Sequence, residues 1–426
     1  MKKTILLLNS IFLLFACSNG ASDAKFDKQL SKLLENKDFF KLRTELENVK
    51  GKLSEDRLLY YKMWCEMAFG NRQQSNNYAA ILLDKYGKLQ NDTTTADILG
   101  IKASNCIYAY QYKEAADIYD TLLKQYENVL DSSEIVNYKN VKLLFSTLSK
   151  VKPQQMHKYG DREIETYRNQ FNHLIIPVKC DGIADEFVFD TGANFSVITN
   201  SCASKMGLTV FDSDIKVGTS TSFSVQTQLT VADSFYVGDI LFENVVFLVV
   251  PAEQMTFPSV NLEIHGIIGF PVLNQMDEVH LQKDGKIFIP EEPQNKNLNN
   301  MFLHGLNPVV QLFSENDTLQ FTFDTGARTT ELSKKYFDSH KMEIEQKGTL
   351  QKGKKGSAGG VIEVDEYILP DFPYRIGSKS GTLPNVSVSL NEYDFNKSFD
   401  GNLGQDIITQ FNALILNFKY MYIEFE

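Results

Sequence analysis

The side chains of this chain best suited to chemistry are two aspartates set in one repeated run. Phe187-Val188-Phe189-Asp190-Thr191-Gly192-Ala193 returns 134 residues later as Phe321-Thr322-Phe323-Asp324-Thr325-Gly326-Ala327. Two carboxyl groups held within hydrogen-bonding distance cannot both ionise, so they share one proton. Such a pair supplies a base to activate water and an acid to protonate a carbonyl oxygen. Hydrolysing an amide without a metal or a covalent intermediate needs both. A single Asp-Thr-Gly would mean little, because it is an ordinary polar turn after a strand. At average residue usage about a tenth of chains this long would hold one by chance. Chance does not account for two copies with shared flanks.

Further landmarks extend the repeat. Gly266-Ile267-Ile268-Gly269 follows the first copy and Gly401-Asn402-Leu403-Gly404 the second, at 79 residues from Asp190 to Gly269 and 80 from Asp324 to Gly404. Each aspartate also ends an apparent hairpin. Leu174-Ile175-Ile176-Pro177-Val178 turns at Asp181-Gly182 into Phe187-Val188-Phe189, and Pro308 to Phe313 turns at Glu315-Asn316-Asp317 into Leu319 to Phe323. Landmarks recurring in one order mark a duplicated domain.

An apolar pair, Asp-Thr-Gly-Ala, a flap segment and then apolar-apolar-Gly resembles the retropepsin-like aspartic peptidases. Two such units in one chain resemble the pepsin arrangement, over residues from about 170 to 426. The resemblance implies a bilobal β-barrel fold, with lobe 1 at 168–296 and lobe 2 at 297–426, and an endopeptidase in which Asp190 and Asp324 act as the catalytic pair in a monomer. It implies that Thr191 and Thr325 hydrogen-bond across to the opposite lobe, and that Ala193 and Ala327 follow the retropepsin choice at that position. Gly269 and Gly404 are expected to be glycine turns entering short helices. Gly192 and Gly326 are expected to let the backbone approach closely beneath each aspartate. The chemistry calls for no cofactor and no metal, and the substrate is a peptide or protein lying extended as an added strand.

The family covers its substrate with a β-hairpin flap. Lys352 to Val361, with Gly356, Gly359 and Gly360, has the glycine content of a mobile hairpin. Its counterpart, Val217 to Ser224, is polar and glycine-poor, so the two flaps are expected to differ. Asn402 stands where the family has a branched apolar residue, which predicts looser packing beneath Asp324. A protease-fold module that binds peptides or an envelope protein without cleaving them is the alternative. Other catalytic signatures are missing. The chain has no His-Glu-x-x-His, no Cys-x-x-Cys and no Gly-x-Ser-x-Gly, and its six histidines are scattered and read as surface or capping residues.

Ahead of this region, residues 26–151 carry Leu, Tyr, Phe and Ala at three- and four-residue spacing, which predicts about six helices. Junctions recur at Asn36-Lys37-Asp38-Phe39, Gly70-Asn71-Arg72-Gln73 and Tyr110-Gln111-Tyr112-Lys113. Tyr112, Ala115 and Tyr119 resemble the packing code of a tetratricopeptide repeat, and an undifferentiated helical bundle fits the same periodicity. The domain could dock a protein partner or gate the cleft. A linker is expected around Val151–Tyr167, at Pro153. The architecture read from sequence is thus an α-helical domain followed by all-β lobes.

At the start, Lys2-Lys3 and an apolar run to Ala16 form a signal segment, residues 1–16, too short to span a bilayer. Leu14-Phe15-Ala16-Cys17 resembles the lipobox of bacterial lipoproteins. It implies a lipid on Cys17, a tether over 17–25 and residence in the bacterial cell envelope, at the outer membrane, with the anchor as the sole membrane contact. With a net charge of -11 the chain lacks the basic face that nucleic acid needs. Cys65, Cys106, Cys180 and Cys202 could pair in three ways or stay as buried thiols.

Overall fold

The computed structural model describes residues 22–49, 51–218, 224–357, 360–393 and 397–426. Cys17, the signal segment, Gly359 and residues 219–223 lie outside the described residues. The helical region holds seven α-helices where periodicity predicts about six: α1 Ala24–Glu35, α2 Phe39–Glu47, α3 Glu55–Ala68, α4 Arg72–Tyr86, α5 Asp92–Tyr108, α6 Tyr112–Gln125 and α7 Ser132–Thr147. Side-chain oxygens begin several of them by accepting orphan backbone N–H groups. Asp23 caps α1, Asn91 caps α5, and Asp131 with Glu134 forms a capping box on α7.

The three junctions picked out by sequence share one turn. Lys37, Gly70 and Tyr110 take left-handed φ values of 56°, 81° and 56°. The N–H one residue later then reaches back five residues, as Asp38 to the Leu33 carbonyl at 2.9 Å, Asn71 to Glu66 at 2.8 Å and Gln111 to Cys106 at 2.9 Å. The helix pairs are therefore joined by a repeated device.

The expected linker is part of the sheets. Gln155–His157 pairs with Ile240–Val250, and Arg162–Glu165 pairs with Lys286–Ile289. Gln154 is buried and donates to the Pro271 carbonyl at 3.1 Å. Strands this short and charged lack an alternation that sequence could reveal; Ile164 is the lone fully apolar anchor of the second, at 3 % exposure.

The β-region holds two rings of pairings with one plan. In the first, Leu174–Cys180, Ile183–Phe189, Gly266–Ile268, Ser196–Thr199, Ile240–Val250 and Ser224–Val237 each pair with the next, and the last returns to Leu174–Cys180. In the second, Asn307–Ser314, Asp317–Phe323, Gly401–Leu403, Glu331–Leu332, Lys379–Ser389 and Gly360–Ile376 do the same in the same order. Both Asp-Thr-Gly strands put their Phe-x-Phe rings inward, with Phe187, Phe189, Phe321 and Phe323 at 0 to 1 % exposure. The residue between and the aspartate beyond then share the opposite face. A five-stranded sheet joins the rings: Glu278–Gln282, which follows the first, pairs with Ala413–Asn417, which follows the second.

The helices lie against both rings. Phe302 packs among Phe39, Phe40 and Phe69, while Phe145 and Leu148 share a core with Ile215 and Leu229. Among the described residues the four cysteines are free thiols. No described helix is long and apolar enough to cross a membrane, which says nothing of strands.

Candidate active site

Each aspartate stands at the end of a strand clamped between two neighbours. Ile183–Phe189 runs parallel to Gly266–Ile268, so the Asp190 N–H continues the ladder to the Ile268 carbonyl at 3.0 Å. Asp324 repeats this against Leu403 at 3.0 Å. The chain then turns under the glycine motifs, where Phe270 N–H meets the Ala193 carbonyl at 2.8 Å and Gln405 N–H the Ala327 carbonyl at 2.9 Å. A Cβ on Gly269 would fall 2.5 Å from the Phe195 carbonyl carbon, and one on Gly404 2.6 Å from that of Thr329. Only glycine fits these turns, as their spacing suggests.

The threonines cross between the loops. Thr191 Oγ1 donates to the Phe323 carbonyl and Thr325 Oγ1 to the Phe189 carbonyl, both at 2.9 Å. Each hydroxyl accepts the other threonine's N–H at 3.0 Å. Both threonines are fully buried. Four hydrogen bonds thus tie the two loops symmetrically.

The carboxyl groups of Asp190 and Asp324 come together over this tie, each against the glycine of the opposite loop and close enough to bear on the other's proton. The sequence reading placed each glycine beneath its own aspartate. Each in fact abuts the opposite one: a Cβ on Gly192 would lie 2.6 Å from the Asp324 carboxyl carbon, and one on Gly326 2.5 Å from Asp190 Oδ2. Gly192 N–H donates to Asp190 Oδ1, and the N–H groups of Gly326 and Ala327 donate to Asp324 Oδ1 at 2.8 and 3.1 Å. Burial and then the neighbouring Asp324 charge push the Asp190 carboxyl well above the usual range. A pair so placed is suited to share one proton.

Sequence reasoning missed several supports. Ser196 Oγ accepts the Gly269 N–H and Thr330 Oγ1 the Gly404 N–H, both at 3.1 Å. The 134-residue offset that aligns the aspartates also aligns these two hydroxyls and could have found them. Gln405 Nε2 donates to the Thr325 carbonyl at 2.5 Å and is itself held by Arg168. His173 is half-buried beside Asp324 and Arg328, and burial favours its neutral form. His304, expected at the surface, is half-buried against Phe399, and burial pushes it down to about 4.

The expectation of loose packing at Asn402 is not met. Asn402 is 7 % exposed; its Oδ1 accepts from Thr322 Oγ1 at 2.6 Å and its Nδ2 donates to Asp324 Oδ2 at 3.3 Å. The substitution for an apolar residue is matched by Thr322 in the facing position, where the first copy has Val188 opposite Ile267.

Both predicted flap segments fall at hairpin tips. Val217 and Gly218 end Val210–Gly218, which pairs with Ser224–Val237. Gly356 lies in Thr349–Ser357, and Gly360, at φ 140°, opens its partner strand. Among the described residues no cluster of His, Cys, Asp and Glu is arranged to hold a metal.

Residues 176–272 match the family model of the aspartyl proteases. The match runs from the first hairpin through the first glycine turn, and the second copy lies beyond it. No curated protein matches the chain.

Proposed function

We propose that this chain is an aspartic endopeptidase whose Asp190 and Asp324 hydrolyse peptide bonds between two β-barrel lobes, 168–296 and 297–426. The observation carrying the reading is the pair itself: two carboxyl groups 134 residues apart in sequence, brought side by side over a symmetric threonine tie. Aspartic proteases as a class share one proton between two such groups.

The chemistry follows from that proton. The ionised carboxylate accepts a proton from water as the water oxygen bonds the carbonyl carbon, while the protonated partner gives its proton to the carbonyl oxygen. Proton transfer to the leaving nitrogen then breaks the C–N bond, and a hydroxyl of the tetrahedral diol returns a proton to the pair. One proton and one charge remain, ready for the next turnover. The substrate lies extended between the hairpins that end near 218 and 357 and pairs with them as an added strand. Neither cofactor nor metal enters, and a monomer suffices.

In the same reading the helices are a tetratricopeptide-like domain, 26–151, that docks a protein partner. A lipid on Cys17 anchors the chain in the bacterial envelope, with residues 17–25 as tether and the outer membrane as its site. The alternative, a module that binds peptides or an envelope protein without cleaving, draws on Asn402 and the glycine-poor first flap; the hydrogen bonds of Asn402 weigh against the first of these.

The test is a diverse peptide library incubated with the protein and read by mass spectrometry, with and without the inhibitor pepstatin. The reading expects new termini that pepstatin suppresses. A library that stays intact across pH 3 to 7 while peptides are retained would favour the binding module.

A further inference from the structure

The two halves of the pair are not equivalent. The residue two before each aspartate shares its face, and the strand beside it supplies the facing partner. Around Asp190 these are Val188 and Ile267, both apolar. Around Asp324 they are Thr322 and Asn402, which hydrogen-bond each other at 2.6 Å and leave the Asn402 amide N–H directed at Asp324 Oδ2.

The Thr322 hydroxyl, 3.3 Å from the Gly401 carbonyl, donates to Asn402 Oδ1 at 2.6 Å and holds the amide in place. An ionised carboxylate oxygen can only accept, so the amide nitrogen is the end that faces Asp324 Oδ2. A donor held there gains most when the oxygen it meets is ionised.

We propose that Asn402 is a positioning residue that breaks the symmetry of the pair, holding the charge on Asp324 and leaving the shared proton on Asp190. Asp324 then accepts the proton of the attacking water and Asp190 gives its own to the carbonyl oxygen. Backbone N–H groups serve both carboxyls, Gly326 and Ala327 at Asp324 and Gly192 and Ala193 at Asp190, so the difference between the halves lies in the side chains.

Other charges bear on Asp324 from each side. Asp190 faces it across the tie, and His173 approaches from the segment before Leu174–Cys180. Arg328 follows on its own loop. Glu331, opposite Asn402 in the strand register, is paired with Lys355. The Glu331–Lys355 pair is internally neutralised, and Asn402 presents a neutral amide donor to Oδ2.

The inference rests on the peptidase reading, and its test separates the two. Asn402→Leu removes the donor at similar volume, and Thr322→Val removes the group that orients it. For both, the acid limb of the kcat/KM profile, which reports the first proton to leave the pair, should move to higher pH. A hydrogen bond to a charged group predicts about one pH unit, a tenfold change, for Asn402→Leu, and less for Thr322→Val. The double variant Val188→Thr with Ile267→Asn, which gives Asp190 the same donor, should move the limb back toward lower pH. Titration of 13C-labelled aspartate carboxyls reads the same order without any substrate, the first ionisation appearing at Asp324 in the parent protein. Cleavage that survives Asn402→Leu with an unmoved acid limb would overturn the proposal and leave the peptidase reading standing. First ionisation at Asp190 would overturn it even if no substrate is found.

Discussion

The two rings share their strand order, their loops and their threonines, yet they hold their long hairpins in different ways. In the first, Val210–Gly218 lies against helix α7: Asn140 bonds both the N–H and the carbonyl of Lys216, two residues before the strand ends. Ile215 and Leu229 are fully buried against Phe145 and Leu148. In the second, the helix Lys334–Lys347 lies on the partner strand of Thr349–Ser357, with Phe337 stacked on Tyr367, and Leu350 and Val361 stay 55 % and 57 % exposed. Thr349–Ser357 itself is fastened by Lys355, which reaches down to Glu331 and sits under the Tyr393 ring. What the two halves share most closely is the tied pair of loops at the centre, where geometry is exacting. The periphery differs because the helical region braces the long hairpin of the first ring.

The shared centre should show the largest and most symmetric effects. Thr191→Val leaves the Thr325 N–H without its acceptor and the Phe323 carbonyl without its donor, both fully buried, and Thr325→Val does the same in reverse. Each should cost about 3 kcal/mol in urea unfolding, with the double variant well short of the sum, since the four bonds form one unit. Clearly unequal losses would show that the tie is less symmetric than its distances.

The fastening of the second hairpin comes next. Lys355→Met strands Glu331, whose carboxyl burial already pushes above the usual range, and should cost about 2 kcal/mol. Adding Glu331→Leu should recover most of it, and a double variant no better than the single one would break this account of the hairpin.

On the braced side, Asn140→Ala removes two hydrogen bonds at an exposed position and should cost about 1 kcal/mol. Hydrogen exchange should quicken at the Lys216 amide and leave the 349–357 strand unchanged. Equal quickening in both hairpins would contradict independent support.

The smallest effect expected is one of acidity. Asp185 lies at the first ring's edge. Burial would raise its carboxyl, but hydrogen bonds from His265 and Lys205 outweigh this and hold it down at about 2. A depressed carboxyl stabilises the fold above its unfolded value of about 3.9 and loses that contribution as pH falls toward 2. The melting temperature of Asp185→Asn should therefore lie below the parent at pH 6 and converge with it between pH 4 and 2. A gap that persists at pH 2 would assign the stabilisation elsewhere.

Much of the centre was legible because its constraints are local in sequence. Asp-Thr-Gly-Ala, the Phe-x-Phe strands and Gly269 and Gly404 each answer to a close approach that one residue type meets, and the repeat doubles the signal. Residues whose partners come from elsewhere were not legible. Asn402 reads as a flaw until Thr322 is seen across the strand pair, and Gly192 abuts an aspartate from the other copy. The 155–168 segment reads as a linker because its strands are short and borrow their alternation from neighbours. The seventh helix escaped notice for a related reason, since helices of nine to seventeen residues joined by tight turns blur into one periodic run.

The central claim is that two distant aspartates form one chemical unit. It is tested most directly by Asp190→Asn and Asp324→Asn, made singly and assayed on any peptide the parent protein cleaves, with unfolding curves taken alongside. The account predicts that each variant stays folded and that neither cleaves at a measurable rate, because one carboxyl alone cannot serve as both acid and base. Full cleavage by either folded variant would contradict it.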